Sequence, residues 1–214
     1  MNAYLEASIL AWASSVVAEE VSPITKVRSH EVNEVFRLTA GSKSLFLKVG
    51  PSLQREYQRL QWLEGRLRAP RPVGFTSQFG NDAFLMSAIE GVDLAQLSAS
   101  LAPKVVIPRL ATALKAVHAT DIIDWPFERT DRGTVLVHGD ACLPNFLYLD
   151  DQFTGYIDLG DMRVDDPEVD LAAAVWSLQY NLGPGHGLAF LREYDLPHAN
   201  EDDVDRLRRM YEVG

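Results

Sequence analysis

The stretch His138-Gly139-Asp140-Ala141-Cys142-Leu143-Pro144-Asn145, with Ile157-Asp158-Leu159-Gly160 shortly after it, sets two carboxylates and one carboxamide among turn-forming glycine and proline. Oxygen ligands of this kind are what a hard cation such as Mg²⁺ takes, and a carboxylate beside an alcohol can accept its proton. The set suits phosphoryl transfer, in which catalysis is mostly positioning and charge neutralisation. Any one of Asp140, Asn145 and Asp158 alone reads equally well as an ordinary turn residue. In order, bounded by His-Gly and Asp-x-Gly and followed by Asp166-Pro167-Glu168-Val169-Asp170-Leu171-Ala172, they read as a site.

Around this stretch, residues 135–138, 146–149 and 154–158 read as short strands, with Asp150-Asp151-Gln152 as the turn between the last two. Asp140 and Asn145 then lie on a loop, and Asp158 closes a hairpin that folds back toward Asn145. The rest of this half is helical in pattern, over residues 93–100, 108–120, 167–180, 187–194 and 200–212. Gly183-Pro184-Gly185-His186-Gly187 lacks the lysine of a phosphate loop and reads as a turn between two of these helices.

Toward the N terminus the pattern changes. A helix over 4–19 precedes a strand-rich stretch, 24–49, with a hairpin turn at Ala40-Gly41-Ser42-Lys43. Leu53, Tyr57, Leu60, Leu63 and Leu67 recur at helical spacing and predict an amphipathic helix over 52–68. Strands at 72–76 and 83–88 follow. The fold class is α+β: a small antiparallel sheet with one key helix over residues 1–88, and a larger, mainly helical part over 89–214 carrying the catalytic loop and hairpin.

Composition excludes several functions. With 30 acidic against 20 basic residues the formal charge is −10, which repels nucleic-acid phosphates. On charge alone general solubility is the favoured reading of the excess, and attraction of a polycationic small molecule is its alternative. No His-Glu-x-x-His, paired Cys-x-x-Cys or basic aromatic patch occurs. Cys142 is the single cysteine, so no internal disulfide forms and a cytoplasmic setting is expected. The apolar run at 8–18 follows Glu6 with no upstream Lys or Arg and reads as a helix rather than a signal peptide; no run is long enough for a membrane anchor.

The motif HGDACLPN, the run Gly155-Tyr156-Ile157-Asp158-Leu159-Gly160 and the segment from Asp166 to Ala172 resemble the aminoglycoside phosphotransferase family, in its kanamycin/neomycin 3'-phosphotransferase-like branch, and more distantly protein kinases. The resemblance implies a two-lobed protein-kinase-like fold, with 1–88 as nucleotide-binding lobe and 89–214 as catalytic and acceptor-binding lobe. It implies Asp140 as the catalytic carboxylate, Asn145 and Asp158 as Mg²⁺ ligands, and His138 and Asp170 as supports of the loop. It maps Lys48 to the strand lysine that contacts the α/β-phosphates and Glu56 to its helical partner, with Glu64 as the competing carboxylate. Phe46 falls where an aromatic ring stacks on adenine, and main-chain groups of Ser87 and Ile89 fall where the base is bonded, which leaves ATP or GTP open. The implied substrate is a small hydroxylated, cationic molecule, most simply an aminoglycoside, phosphorylated from ATP with Mg²⁺.

Three features depart from the family pattern. The nucleotide-covering loop, Ser29-His30-Glu31-Val32-Asn33-Glu34-Val35, has no glycine. The interval from Gly91 to His138 is short, which removes part of the expected acidic acceptor pocket. Trp176 and Asp161 stand where the family carries arginines, and by that resemblance Trp176 is, with Glu212, a candidate substrate-binding residue. Glu212 is the candidate acidic contact to substrate amines, whereas Glu201, Asp202, Asp203 and Asp205 read equally as a solvated helix start. His118 reads as packing or capping, and Cys142 as a structural thiol. Two rivals follow: a metabolic kinase of the same fold for amino sugar, choline-like or macrolide acceptors, and a nucleotide-binding pseudoenzyme.

Overall fold

In the computed structural model, which describes residues 3–29 and 33–213, strands β1 (Val21–Ser29), β2 (Glu34–Ala40), β3 (Lys43–Gly50), β4 (Pro72–Thr76) and β5 (Asp82–Ser87) form one antiparallel sheet in the order β1-β2-β3-β5-β4. Side chains alternate across a strand, and β3 shows what that alternation does. Leu45, Leu47 and Val49 are buried, packing with Leu38, Ala40, Ala83 and Leu85 against Ile9 and Ala13 of helix α1 (Ala3–Val17). Phe46 and Lys48 therefore occupy the opposite face. Helix α2 (Gln54–Leu63) serves that face, with Tyr57 tilted against Phe75 at 5.3 Å and edge-on at 5.5 Å from Phe84.

Helix α2 is shorter than the predicted 52–68. Leu53 donates its N–H to the Asp82 carboxylate at 2.8 Å, so the helix begins only at Gln54. It stops at Leu63, and Gly65 takes a left-handed φ of +79° that ends the helical run. Leu67, although in helical register, is not helical. The chain clusters into two units, one of residues up to 64 with 69–89, the other of 65–68 with 90 onward. Within the second unit, Arg68 accepts the Tyr156 N–H at 2.9 Å and donates from its guanidinium to the Phe153 carbonyl.

The second unit holds two small sheets. One pairs β6 (Val92–Asp93), β8 (Phe146–Leu149) and β9 (Gln152–Tyr156); the other pairs β7 (Val135–Val137) with β10 (Arg163–Asp165). Asp150 and Asp151 both have positive φ, so the β8–β9 turn is a tight two-residue one and β9 begins earlier than predicted. Strand β9 ends at Tyr156, which leaves Asp158 beyond the hairpin rather than on its last strand. Helices α3 (Leu94–Ser98), α4 (Pro103–His118), α5 (Glu168–Leu182), α6 (Gly187–Glu193) and α7 (Glu201–Val213) complete the unit. Helix α4 starts at Pro103, not at 108; Pro103 fills the first helical position, and Pro108 is carried inside the helix.

Tyr156 and Tyr148 fix the hairpin to α4 by donating their hydroxyls to Ala113 and Arg109 carbonyls at 2.7 and 2.9 Å. At the start of α7, Asn200 accepts from the N–H groups of Asp202 and Asp203, while the Asp203 carboxylate accepts the Asn200 N–H, a reciprocal cap. No helix among the described residues is long and apolar enough to cross a membrane.

A Cβ placed on Gly74 of β4 would stand 2.8 Å from Val16 and 3.4 Å from Trp12, so α1 lies directly on that glycine. Gly74→Leu is expected to push α1 off the sheet and cost about 1–3 kcal/mol, read as a lower midpoint in urea denaturation.

Candidate active site

Helix α5 supports the HGDACLPN loop at two points. Asp170, fully buried in its first turn, accepts the N–H of His138 at 2.7 Å and that of Gly139 at 2.9 Å. Ser177, seven residues on and hence on the same helical face, accepts the Leu143 N–H at 2.9 Å. Between them the Cys142 thiol faces the Ala173 carbonyl at 3.8 Å. Buried backbone donors need partners, and the loop finds them on one helix. His118 of α4 completes the support, with Nε2 3.0 Å from Asp170 and Nδ1 2.6 Å from the Tyr194 hydroxyl. The His138 ring is itself buried, stacked on Phe146 and with Nε2 3.1 Å from the Ile157 carbonyl.

Gly139 has φ +87°, and a Cβ there would meet the Asp161 carbonyl oxygen at 2.5 Å, so the chain reverses here only because the residue is glycine. The reversal brings Asp140 beside Asn145, whose Nδ2 donates both to the Asp140 carbonyl at 2.8 Å and to its carboxylate at 2.9 Å. With both amide hydrogens engaged, the Asn145 Oδ1 is the atom left to act as a ligand. The Asn145 carbonyl accepts the Ile157 N–H at 3.0 Å, which ties the loop to the chain leading into Asp158. Asp158 has a left-handed φ of +59°, uncommon for a residue with a side chain and costly enough to be kept where a site demands it. Among the described residues no three His, Cys, Asp or Glu side chains are grouped to hold a metal ion. One carboxylate and one amide oxygen instead fit Mg²⁺, which usually takes one or two protein oxygens together with phosphates and water.

In the first unit, Lys48 Nζ lies 2.7 Å from the Glu56 carboxylate, and both side chains are largely buried. Glu64 caps the end of α2 instead. Phe46 shares the face of β3 with Lys48 and lies opposite Met86 in the ladder. Ser87 donates its N–H to the Arg71 carbonyl at 2.9 Å, and its hydroxyl accepts the Arg71 N–H. Its main-chain donor is thus engaged within the sheet, and only its carbonyl can serve a base. His30–Val32 of the glycine-free loop lie outside the described residues.

The Trp176 ring stacks on Tyr180 at 5.3 Å and packs tilted against Tyr211 at 5.0 Å. Glu212, next in sequence to Tyr211, is exposed on α7. A cavity of about 290 Å³ lined by Thr130, Arg132, Asp165, Glu168 and Met210 sits where Asp165 pairs with Val135, the end of β7 away from Gly139. Two of the acids lining it are engaged with neighbours, Glu168 in a two-pronged pair with Arg206 at 2.7 Å and Asp165 with Arg163 and Thr130.

The fold and the Asp140–Asn145 loop define a phosphotransferase of the kinase-like class. The profile of the APH phosphotransferase enzyme family matches residues 23–133 and 122–209, and the chain belongs to that family. It is 26% identical over 208 residues to an aminoglycoside 3'-phosphotransferase of Niallia circulans, an alignment covering 74% of this chain and 79% of the relative. Its structure is similar to that of aminoglycoside phosphotransferase APH(3'')-Id from Streptomyces rimosus, with a TM-score of 0.74, 21% identity and coverage of 97% and 96% of the two chains. The same S. rimosus protein in complex with ADP and streptomycin matches with a TM-score of 0.71, 21% identity and coverage of 94% and 96%.

Sequence reasoning missed His118 as the partner of Asp170 and Ser177 as the second anchor of the loop. The i, i+7 spacing of Asp170 and Ser177 on a helix was the available clue. Asp170→Ala, which orphans two buried N–H groups, is expected to cost about 2–4 kcal/mol, measured by denaturation, while Asp170→Asn recovers part of that loss. Burial, and next the Asp140 carboxylate, push the Cys142 thiol up to about 12. The thiol is therefore protonated throughout the neutral range, and iodoacetamide at pH 8 is expected to leave the native protein unmodified and to alkylate it once unfolded.

Proposed function

We propose that the chain transfers the γ-phosphoryl group of ATP, with Mg²⁺, to a hydroxyl of an aminoglycoside. Family membership supports the reaction class, and the N. circulans and S. rimosus relatives, named for aminoglycosides and in one case holding ADP and streptomycin, support the acceptor and the nucleotide. The formal charge of −10 suits a polycationic acceptor. The observation that carries the reading is the double use of the Asn145 amide on Asp140, which fixes a carboxylate and leaves the amide oxygen as the atom that can serve as a ligand.

Asp140 accepts a hydrogen bond from the acceptor hydroxyl and takes its proton as the oxygen bonds to phosphorus and the bond to the departing ADP breaks. Asn145 holds Asp140 in place, and its Oδ1 joins the Asp158 carboxylate as a ligand. Mg²⁺ bound there supplies positive charge to the phosphate oxygens. Lys48, steadied by Glu56, contacts the α/β-phosphates; a compact ammonium suits that task. Phe46 stacks on the base, the Ser87 carbonyl and the Ile89 main chain bond its edge, and His138 and Asp170 hold the loop. A second reading, a metabolic kinase for an amino sugar, choline-like or macrolide acceptor, draws on the short interval between Gly91 and His138.

Incubating the protein with MgATP and a panel of aminoglycosides, amino sugars, choline and macrolides, with products weighed by mass spectrometry, tests both. The expected outcome is a phosphate gained by an aminoglycoside and a 10²–10⁴-fold lower kcat for Asp140→Ala. A phosphorylated product only among the other acceptors favours the second reading, and no product from any acceptor ends both.

A further inference from the structure

Tyr180 is 76% exposed, yet its ring lies within 13° of parallel to Trp176, one helical turn before it on α5. Trp176 in turn packs at 5.0 Å and 35° against Tyr211 of α7. The Tyr211 hydroxyl stands 3.5 Å from the Cys142 thiol, two residues from Asp140. The three rings thus form a staircase from the surface to the catalytic loop. Its inner end is pinned by the contacts that seat the loop on α5, including Ser177, the neighbour of Trp176.

The exposed Tyr180 ring, backed by Trp176, offers two things to a ligand. Its open face carries the negative end of the aromatic quadrupole, which attracts ammonium groups, and it presents flat apolar area to the C–H face of a saturated ring. Taken together with the Proposed function, on which the inference rests, we propose that Tyr180, Trp176 and Tyr211 form the acceptor platform, on which an ammonium-bearing sugar ring stacks with a hydroxyl directed at Asp140. Recognition then runs through aromatic faces in a chain whose acidic pocket region is shortened.

Kinetics with kanamycin as acceptor and titration of the intrinsic tryptophan fluorescence by kanamycin test the platform. Tyr180→Ala, at an exposed position that leaves folding intact, and Trp176→Leu are expected to raise the kanamycin KM about tenfold. The kcat and the KM for MgATP should stay within twofold. Tyr180→Phe and Trp176→Phe restore the KM, because the face and not the hydroxyl or indole N–H binds. Kanamycin should quench wild-type fluorescence, with the midpoint moved about tenfold in Tyr180→Ala. An unchanged kanamycin KM in both Tyr180→Ala and Trp176→Leu overturns the platform while leaving the phosphotransferase reading standing. Saturable quenching that shifts in Tyr180→Ala, without phosphate transfer, supports the platform and counts against that reading. No quenching of the wild type by kanamycin or streptomycin overturns the platform.

Discussion

The buried carboxylate of Asp170 is the constraint on which the second unit turns. It accepts from two consecutive N–H groups, His138 and Gly139, at the point where β7 stops and the HGDACLPN loop begins. A strand ending in the interior would otherwise leave those donors unpaired, at a cost that one well-placed carboxylate removes. His118 then fixes the carboxylate from the other side. The loop conformation follows: Gly139 reverses the chain, Asn145 comes back upon Asp140, and Ser177 receives Leu143. Residues from α4, α5 and the loop form one hydrogen-bonded chain, so the position of Asp140 is set by buried groups behind the loop.

The first unit uses a different device for the same end. Strand alternation alone puts Phe46 and Lys48 on the face opposite Leu45, Leu47 and Val49. Burying the leucines against α1 therefore determines where the lysine points, and α2 meets it with Glu56. An ammonium and a carboxylate taken largely out of water hold each other firmly, since neither has comparable solvation elsewhere. Positioning by core packing and positioning by hydrogen bonding thus divide the work between the two units.

Much of this was legible from residue order because its causes are local. The hairpin at Gly41 and the β8–β9 pair carry their turn residues with them, and the helix starting at Glu168 follows a proline. The pattern over 52–68 overran the true helix because Leu67 kept the period after Gly65 had broken the backbone. Strand β10 is three residues long and exists only through pairing with β7, which no local pattern announces. Tyr156 and Ile157 look β-like and carry the strand pattern on to Asp158, yet its left-handed backbone cannot continue a strand. His118 and Asp170 lie 52 residues apart, a partnership that only the folded chain creates. The site was readable as a set of residue types; what binds those residues together was not.

Residues 65–68 belong with the second unit although the first continues on both sides of them. The backbone consequently passes between the units three times, and Arg68 supplies β9 with a carbonyl that accepts Tyr156. The second unit is therefore discontinuous in the chain. A fragment cut at the boundary near residue 89 would carry a hairpin lacking its neighbour, so modular exchange of either half has to transplant that short excursion as well.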